Sequence, residues 1–334
     1  LTMAQYAHND SGIGGATPNA QTMALDAAKA ANPDINFGPY DNDGDGFVDA
    51  FVVIHAGSGA EVTLSPGDIW SHKWVLSGGA FNADGTQIFA YLTVPEDARI
   101  GVCCHELGHL LFGFPDLYDT DQSSEGVGNW CLMGAGSWNG GGDTPAHPCA
   151  WAKADQGWVT VTNVTSNGAV SIADVKNSHR VYRLWNGGAS GSEYFLVENR
   201  QKTGFDSKLP GEGLLIWHLD DNIANNTNEL HPKVGLVQAD GNDDLQHGTN
   251  RGDAGDPYPG SAGNNTFDKN STPNSKTYAN QDSCVAVTNI GPSGATMQAT
   301  FQVNCQPGFK NVFKESKDRM KDVLKDKEIV KEIA

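Results

Sequence analysis

No stretch of the 334 residues approaches the roughly 20 consecutive apolar residues that a membrane-spanning helix requires. No signal peptide is visible either: Leu1 opens directly into polar sequence, so a secreted protein would be represented here by a trimmed chain. CxxC and ribbon-type zinc spacings are absent, as are a phosphate-cradling glycine loop, a legible Ser-His-Asp arrangement and internal repeats. Basic residues are scarce, 22 Lys+Arg against 40 Asp+Glu, for a net charge of −18. Residues 306–334 hold 8 of the basic and 6 of the acidic residues, so the rest of the chain carries a net charge of −20. A body this acidic repels nucleic acid and anionic membranes, and neither is expected as a partner.

What is present points to two domains, from length, and to many turns, from 40 glycines. Six cysteines (Cys103, Cys104, Cys131, Cys149, Cys284, Cys305) allow three disulfides and suggest an oxidising compartment; Cys284 and Cys305 bracket two strands and are expected to pair. Periodicity predicts a helix over 20–32, buried strands over 47–55 and 87–94, and an amphipathic helix over 96–112 with acids in its first turn. Helical character returns at 149–155. Past Trp158 the texture becomes short strands, at 158–164, 169–175, 180–185, 193–198, 213–219, 234–238, 284–290 and 296–303. The expected class is α+β. A catalytic domain with a mixed sheet and an active-site helix spans 1–157, a β-rich, sandwich-like domain 158–305, and an amphipathic helical tail 306–334.

The strongest local signal is His105-Glu106-Leu107-Gly108-His109. On a helix, positions i and i+4 share a face, so two imidazoles can hold one tetrahedral zinc while Glu106 reaches an attacking water. The apolar flanks Ile100, Val102, Leu107, Leu110 and Leu111 bury this helix, where an unliganded His-Glu-His group would be poorly tolerated. A third ligand must come from the segment after Gly113, which lets the chain turn away. Asp116 is first choice, Asp119 second and Glu125 third. Met133, in the glycine-rich stretch Leu132–Trp138, suggests a methionine turn forming a floor below the histidines. Tyr118 is a further candidate for stabilising an oxyanion.

Several separate stretches together resemble the immune inhibitor A family of secreted bacterial zinc metallopeptidases, over roughly residues 36–305. They include Tyr40–Gly46 running into Val52–Gly57, Ile69–Trp74, His105–His109 with Pro115–Asp119, and Leu132-Met133-Gly134 with Gly136-Ser137-Trp138. In the second half they are Glu193–Arg200, Leu209–His218, Gln238–Gly241, Gly252–Asp256 and Pro259-Gly260. The resemblance implies a zinc endopeptidase on a zincin (metzincin-like) catalytic domain followed by a β-rich domain. It also implies calcium as a structural ion, and a precursor with a pro-segment. One departure stands out: the glycine and the acidic ligand expected three and six residues after the second histidine arrive one late, at Gly113 and Asp116, with Phe112 and Pro115 in their places.

Asp41-Asn42-Asp43-Gly44-Asp45-Gly46-Phe47-Val48-Asp49 matches the start of an EF-hand loop. Asp41, Asp43 and Asp45 offer side chains, Phe47 a carbonyl, and Asp49 a closing carboxylate; the bidentate glutamate is missing, its place taken by Val52. A second acidic cluster, Asp240, Asp243, Asp244, Asp253 and Asp256, leaves calcium and a plain polar loop equally open. His55, His72, His147 and His218 are expected to be structural. The sequence thus reads as a secreted, extracellular, monomeric zinc endopeptidase with structural calcium, acting on protein or peptide substrates laid along the edge of the strand at 87–94. A zinc hydrolase of a non-peptide bond and a calcium-stabilised binding module with an inactive site are the alternatives.

Overall fold

The computed structural model describes residues 1–305; the tail assigned to 306–334 lies outside them. The first half contains helices α1 (Met3–Ala7), α2 (Ala20–Ala31), α3 (Ala60–Thr63) and α4 (Ile100–Phe112), with strands β1 (Val52–His55), β2 (His72–Val75), β3 (Phe81–Ala83), β4 (Thr86–Ile88) and β5 (Ala90–Pro95). Alanine-rich α2 starts where the Asn19 side chain accepts the Thr22 N–H at 3.1 Å, satisfying one orphan donor of its first turn. The three-stranded sheet runs β1-β5-β2, with β1 parallel and β2 antiparallel to β5. One face of it, through Val53 and Tyr91, shares a core with α2 and with Ile69 and Ile88 beside the sheet; the other packs Leu92 and Val94 against Val102 of α4.

Three expectations change here. The strand expected at 87–94 is split at Phe89 into β4 and β5, and β5 is no edge: it is hydrogen-bonded on both sides, so the open edges belong to β1 and β2. The strand expected from residue 47 begins at Val52, because 47–51 carry the turn out of the acidic loop. The helix expected from residue 96 begins at Ile100. Its supposed first-turn acids are drawn to the preceding loop instead, where Glu96 accepts the Gly57 N–H and Asp97 accepts the Ser58 hydroxyl, both at 2.8 Å.

The second half contains α5 (Ala150–Asp155), β6 (Thr160–Asn163), β7 (Gly168–Ala173), α6 (Val175–Ser178), β8 (Arg180–Leu184), β9 (Glu193–Arg200), β10 (Gly213–Asp220), β11 (Val234–Val237), β12 (Ala286–Thr288) and β13 (Thr296–Gln302). Every strand expected past Trp158 is present, within a few residues of its bounds. They form a five-stranded sheet, β11-β10-β9-β8-β6, and a three-stranded sheet, β12-β13-β7. Phe195, Val197, Leu214 and Ile216 of the larger sheet bury against Ile172, Val287, Met297 and Phe301 of the smaller side. Its opposite face, through Leu196, Leu215, Trp217 and Leu236, buries against Phe114, Leu117, Trp130, Met133 and Trp151. Covered on both faces, β9 and β10 read as near-continuous apolar runs. Each fully buried large side chain here contributes about 1.5–3 kcal/mol.

The charged residues interrupting those runs are paired inside the core. Arg200 bonds Asp206 through Nε at 2.7 Å and Nη2 at 2.6 Å, and reaches Glu198 at 3.3 Å. Glu198 also takes Lys153 and the Trp217 Nε1–H. Two cations meet two anions, so the network is neutral. Cys284 and Cys305 are disulfide-bonded as expected. The two further bridges that the count allows are not formed: Cys103, Cys104, Cys131 and Cys149 are free thiols, and the Cys149 N–H donates to the Cys131 sulfur at 3.2 Å.

Candidate metal centre

Helix α4 ends at Gly113, whose φ of 66° is left-handed, a conformation that costs glycine least. The Phe114 N–H turns back to the Gly108 carbonyl at 3.2 Å, and the chain then passes Asp116 across the helix face that carries His105 and His109. The three side chains meet. The two Nε2 atoms are 3.0 Å apart, and each lies 3.1 Å from Asp116 Oδ1.

Both rings are oriented from behind by backbone. His105 Nδ1 lies 3.0 Å from the Leu132 carbonyl and His109 Nδ1 2.5 Å from the Phe114 carbonyl. A carbonyl only accepts, so each Nδ1 carries a proton; in the neutral ring Nε2 then turns a bare lone pair inward, and only in the imidazolium does it donate to Asp116. Two lone pairs and a carboxylate oxygen facing one another at 3.0–3.1 Å repel unless a cation or shared protons lie between them. The donor set, two imidazoles and one carboxylate, is that of a catalytic zinc. Bonds of about 2.0–2.1 Å in a tetrahedron give ligand separations of roughly 3.3–3.4 Å, so the triangle needs to open by only about 0.3 Å. The residues present therefore fit the ion. The Asp116 side chain, 27% exposed, leaves one side of the centre open to solvent.

Burial lowers the His105 imidazolium, but the hydrogen bond to Asp116, the Glu106 charge and the Leu132 carbonyl outweigh it, so its pKa is raised. Burial would raise the Asp116 carboxyl, yet hydrogen bonds from both histidines hold it well below the usual carboxylate range. Glu106, 6% exposed, is pushed up by burial, with the two histidines opposing and Asp116 and Glu61 reinforcing the shift. The Tyr118 ring stacks on His105, centroids 6.2 Å apart at 19°. Burial and the facing Asp116 raise its phenol.

The other ligand candidates are engaged elsewhere. Asp119 is buried and accepts the Asp121 and Ser124 N–H groups at 3.1 and 2.9 Å, shaping its own loop. Glu125 pairs with Arg251 at 2.9 Å. His55 contacts the Ala56 carbonyl, His72 lies between the Trp70 carbonyl and the Tyr91 hydroxyl, and His218 pairs with Glu193 between the rings of Phe195 and Tyr278. His147, half-buried, donates its backbone N–H to the Asp206 carboxylate at 2.9 Å.

Met133 is fully buried directly against α4. A Cβ placed on Gly108 would lie 2.6 Å from its sulfur, and one on Gly101 would lie 1.9 Å from the Ser137 carbonyl. These two glycines let the helix settle on the 131–142 loop. Sequence reading passed over them, although a spacing of two helical turns put them on one face. It also missed the two orienting carbonyls, which have no side-chain signature.

In the acidic loop, Asp41, Asp43 and Asp45 offer oxygens within 4.8 Å of one another. Asp41 accepts the Gly44 and Gly46 N–H groups at 2.9 and 3.0 Å, and Asp45 accepts that of Phe47 at 2.8 Å. Phe47 is also bridged to Gln87. Asp49 is held by the Asn42 N–H and amide at 3.3 and 2.6 Å, outside that trio.

Residues 19–163 match the family described as "Immune inhibitor A peptidase M6, catalytic domain". Immune inhibitor A of Bacillus thuringiensis subsp. alesti is 38% identical over 130 residues, covering 34% of this chain and 19% of that relative. Pre-pro-metalloprotease PrtV of Vibrio cholerae serotype O1 (strain M66-2) is 35% identical over 168 residues, covering 40% of this chain and 18% of that relative. The match thus spans less than a fifth of either relative. The resemblance drawn from the motifs is met over this segment, which contains the whole His105–His109–Asp116 constellation.

Proposed function

We propose, from the premise that residues 19–163 resemble the immune inhibitor A peptidase catalytic domain, that this chain is a secreted zinc-dependent endopeptidase. The observation that carries the reading is the convergence of His105, His109 and Asp116 on one point, with Glu106 buried beside it. We read the first half, 1–157, as a metzincin-like zincin and 158–305 as a sandwich-like β domain. Calcium at Asp41, Asp43 and Asp45, with the Phe47 carbonyl, would pin the loop before β1. Among the described residues no helix is long and apolar enough to cross a membrane.

His105, His109 and Asp116 would hold the zinc, the Leu132 and Phe114 carbonyls fixing the rings so that no reorientation is needed on binding. When bound, zinc supplies Lewis acidity that polarises a scissile carbonyl and makes a water acidic near neutral pH. Glu106 takes a proton from the attacking water and passes it to the leaving amine nitrogen. Its burial keeps the carboxyl basic enough for that transfer. Tyr118, stacked on His105, would donate its hydroxyl to the oxyanion. An extended peptide would lie along β2, the antiparallel open edge, rather than along β5.

Glu106→Gln tests this directly. It should keep one zinc per chain while casein cleavage falls by about 10²–10⁴ or more. Near-normal turnover in the zinc-loaded variant would refute the assignment.

A further inference from the structure

We infer that Asp240, Asp253 and Asp256 form a calcium site that braces the loop beneath the metal centre. Each contributes an oxygen to a group whose members lie within 4.8 Å of one another. Three carboxylates so close would be unremarkable on a wet surface, but Asp256 is 1% exposed. Its Oδ2 accepts the Trp130 Nε1–H at 2.9 Å and the Asp253 N–H at 3.0 Å. Its Oδ1 is buried and has no hydrogen-bond partner among the described residues. A buried carboxylate oxygen with no donor loses its hydration without compensation.

No Lys, Arg or His side chain neutralises the group: none of the three aspartates forms a salt bridge among the described residues. The nearby Arg251 is directed to Glu125 instead. Asp240 and Asp253 close over Gly255, where any Cβ would lie 2.3 Å from Asp240 Oδ2 and 3.0 Å from Asp253 Oδ1. Backbone and amide donors fix the outer two. Asp240 accepts from Asn242 at 3.1 and 3.0 Å, and Asp253 from Gly255 at 2.6 Å.

An all-oxygen, all-carboxylate set selects a hard cation, and an irregular group partly open to water suits calcium better than magnesium or zinc. The site is joined to the metal centre by backbone. The Asn129 N–H donates to the Arg251 carbonyl at 2.8 Å and the Glu125 N–H to the Leu245 carbonyl at 2.9 Å. Trp130, held by Asp256, then leads to Leu132 and Met133, the orienting carbonyl and the floor under α4.

The test uses the whole chain loaded with one zinc, in an Asp43→Asn background that silences the Asp41–Asp45 loop. Bound calcium, thermal unfolding and terbium emission excited through tryptophan are measured with and without Asp240→Asn or Asp256→Asn. The parent should bind one calcium, gain roughly 3–8 °C at a hundredfold excess over Kd, and sensitise terbium through Trp130. Either variant should lose the bound calcium, the thermal gain and at least about tenfold of the terbium emission, since an amide removes one ligand charge. Without calcium, Asp256→Asn should melt at or above the parent, because it relieves repulsion. Unchanged calcium binding and thermal gain in both variants would overturn the site. An equal thermal gain from magnesium would overturn its assignment to calcium. Asp240, partly exposed, keeps the test valid should Asp256→Asn fail to fold.

Discussion

Gly108→Ala sets two known effects against each other inside helix α4. Alanine is favoured over glycine in a helix interior by about 0.8–1 kcal/mol, so in an open position the change would stabilise. Here the new methyl would lie 2.6 Å from the Met133 sulfur, 3.2 Å from its terminal carbon and 3.5 Å from the Phe114 ring. An ordinary contact is roughly 3.5–4.0 Å, so Met133 must move by about 1 Å in a core with no exposed surface to move into. Overpacking of this kind costs about 1–3 kcal/mol. The net expectation is a loss of roughly 0–2 kcal/mol, with weakened zinc affinity because Leu132, the neighbour of Met133, orients His105. A double-mutant cycle separates the terms. Met133→Ala alone should cost about 2–5 kcal/mol, and adding Gly108→Ala to it should then recover about 1 kcal/mol, since the methyl enters vacated space. Urea unfolding of the four zinc-loaded proteins gives the coupling energy, expected at about 1–3 kcal/mol. A coupling below about 0.5 kcal/mol, with Gly108→Ala stabilising in both backgrounds, would refute the claim that Met133 sets the floor of the site.

Two further outcomes follow from the core. Asp206→Ala should destabilise by about 3–5 kcal/mol, because it leaves the fully buried Arg200 short of its main partner. Burial raises the Asp206 carboxyl but Arg200 outweighs it and holds it low, so its contribution is complete above the unfolded value of about 3.9 and is lost as pH falls toward the folded one. The deficit of the variant, read by unfolding from pH 7 to pH 3, should therefore shrink in acid; a constant deficit would contradict the pairing. Thiol titration of the denatured, unreduced chain should find the four free cysteines, with Cys131 and Cys149 silent in the native state and Cys103 and Cys104 reacting slowly. Two or fewer thiols would mean that a further disulfide forms.

The helical half of the centre was legible because it is local: i, i+4 spacing on an apolar helix with a glycine stop needs no tertiary information. Asp116 was reachable because Gly113 announces a turn and only a few residues follow before the next acid. What escaped had partners far away in sequence or none in side chains. Glu198-Asn199-Arg200 closes β9 as a run of polar residues, as a strand emerging into solvent would, yet all three are buried and the partners of Glu198 and Arg200, Lys153 and Asp206, lie on other elements. The acids at 96 and 97 fit a helix start by composition, but Gly57 and Ser58 compete for them across 39 residues. The rank of β5 in its sheet was equally hidden, since its parallel partner β1 is separated from it along the chain by β2, β3 and β4.

The support of the centre extends well beyond the segment that matches known peptidases. That match ends at residue 163, whereas the floor packs on Leu196, Leu215, Trp217 and Leu236 of the five-stranded sheet, and Trp130 is held by Asp256. Cut off from that sheet, Trp130, Met133 and Trp151 would each expose surface worth about 1.5–3 kcal/mol to bury. They flank the loop that supplies Leu132 and its carbonyl to His105. His105, His109 and Asp116 belong to one helix and one turn, but the precision with which two imidazoles face one carboxylate depends on β strands far downstream. Variation in that sheet should therefore tune the metal centre without touching a ligand.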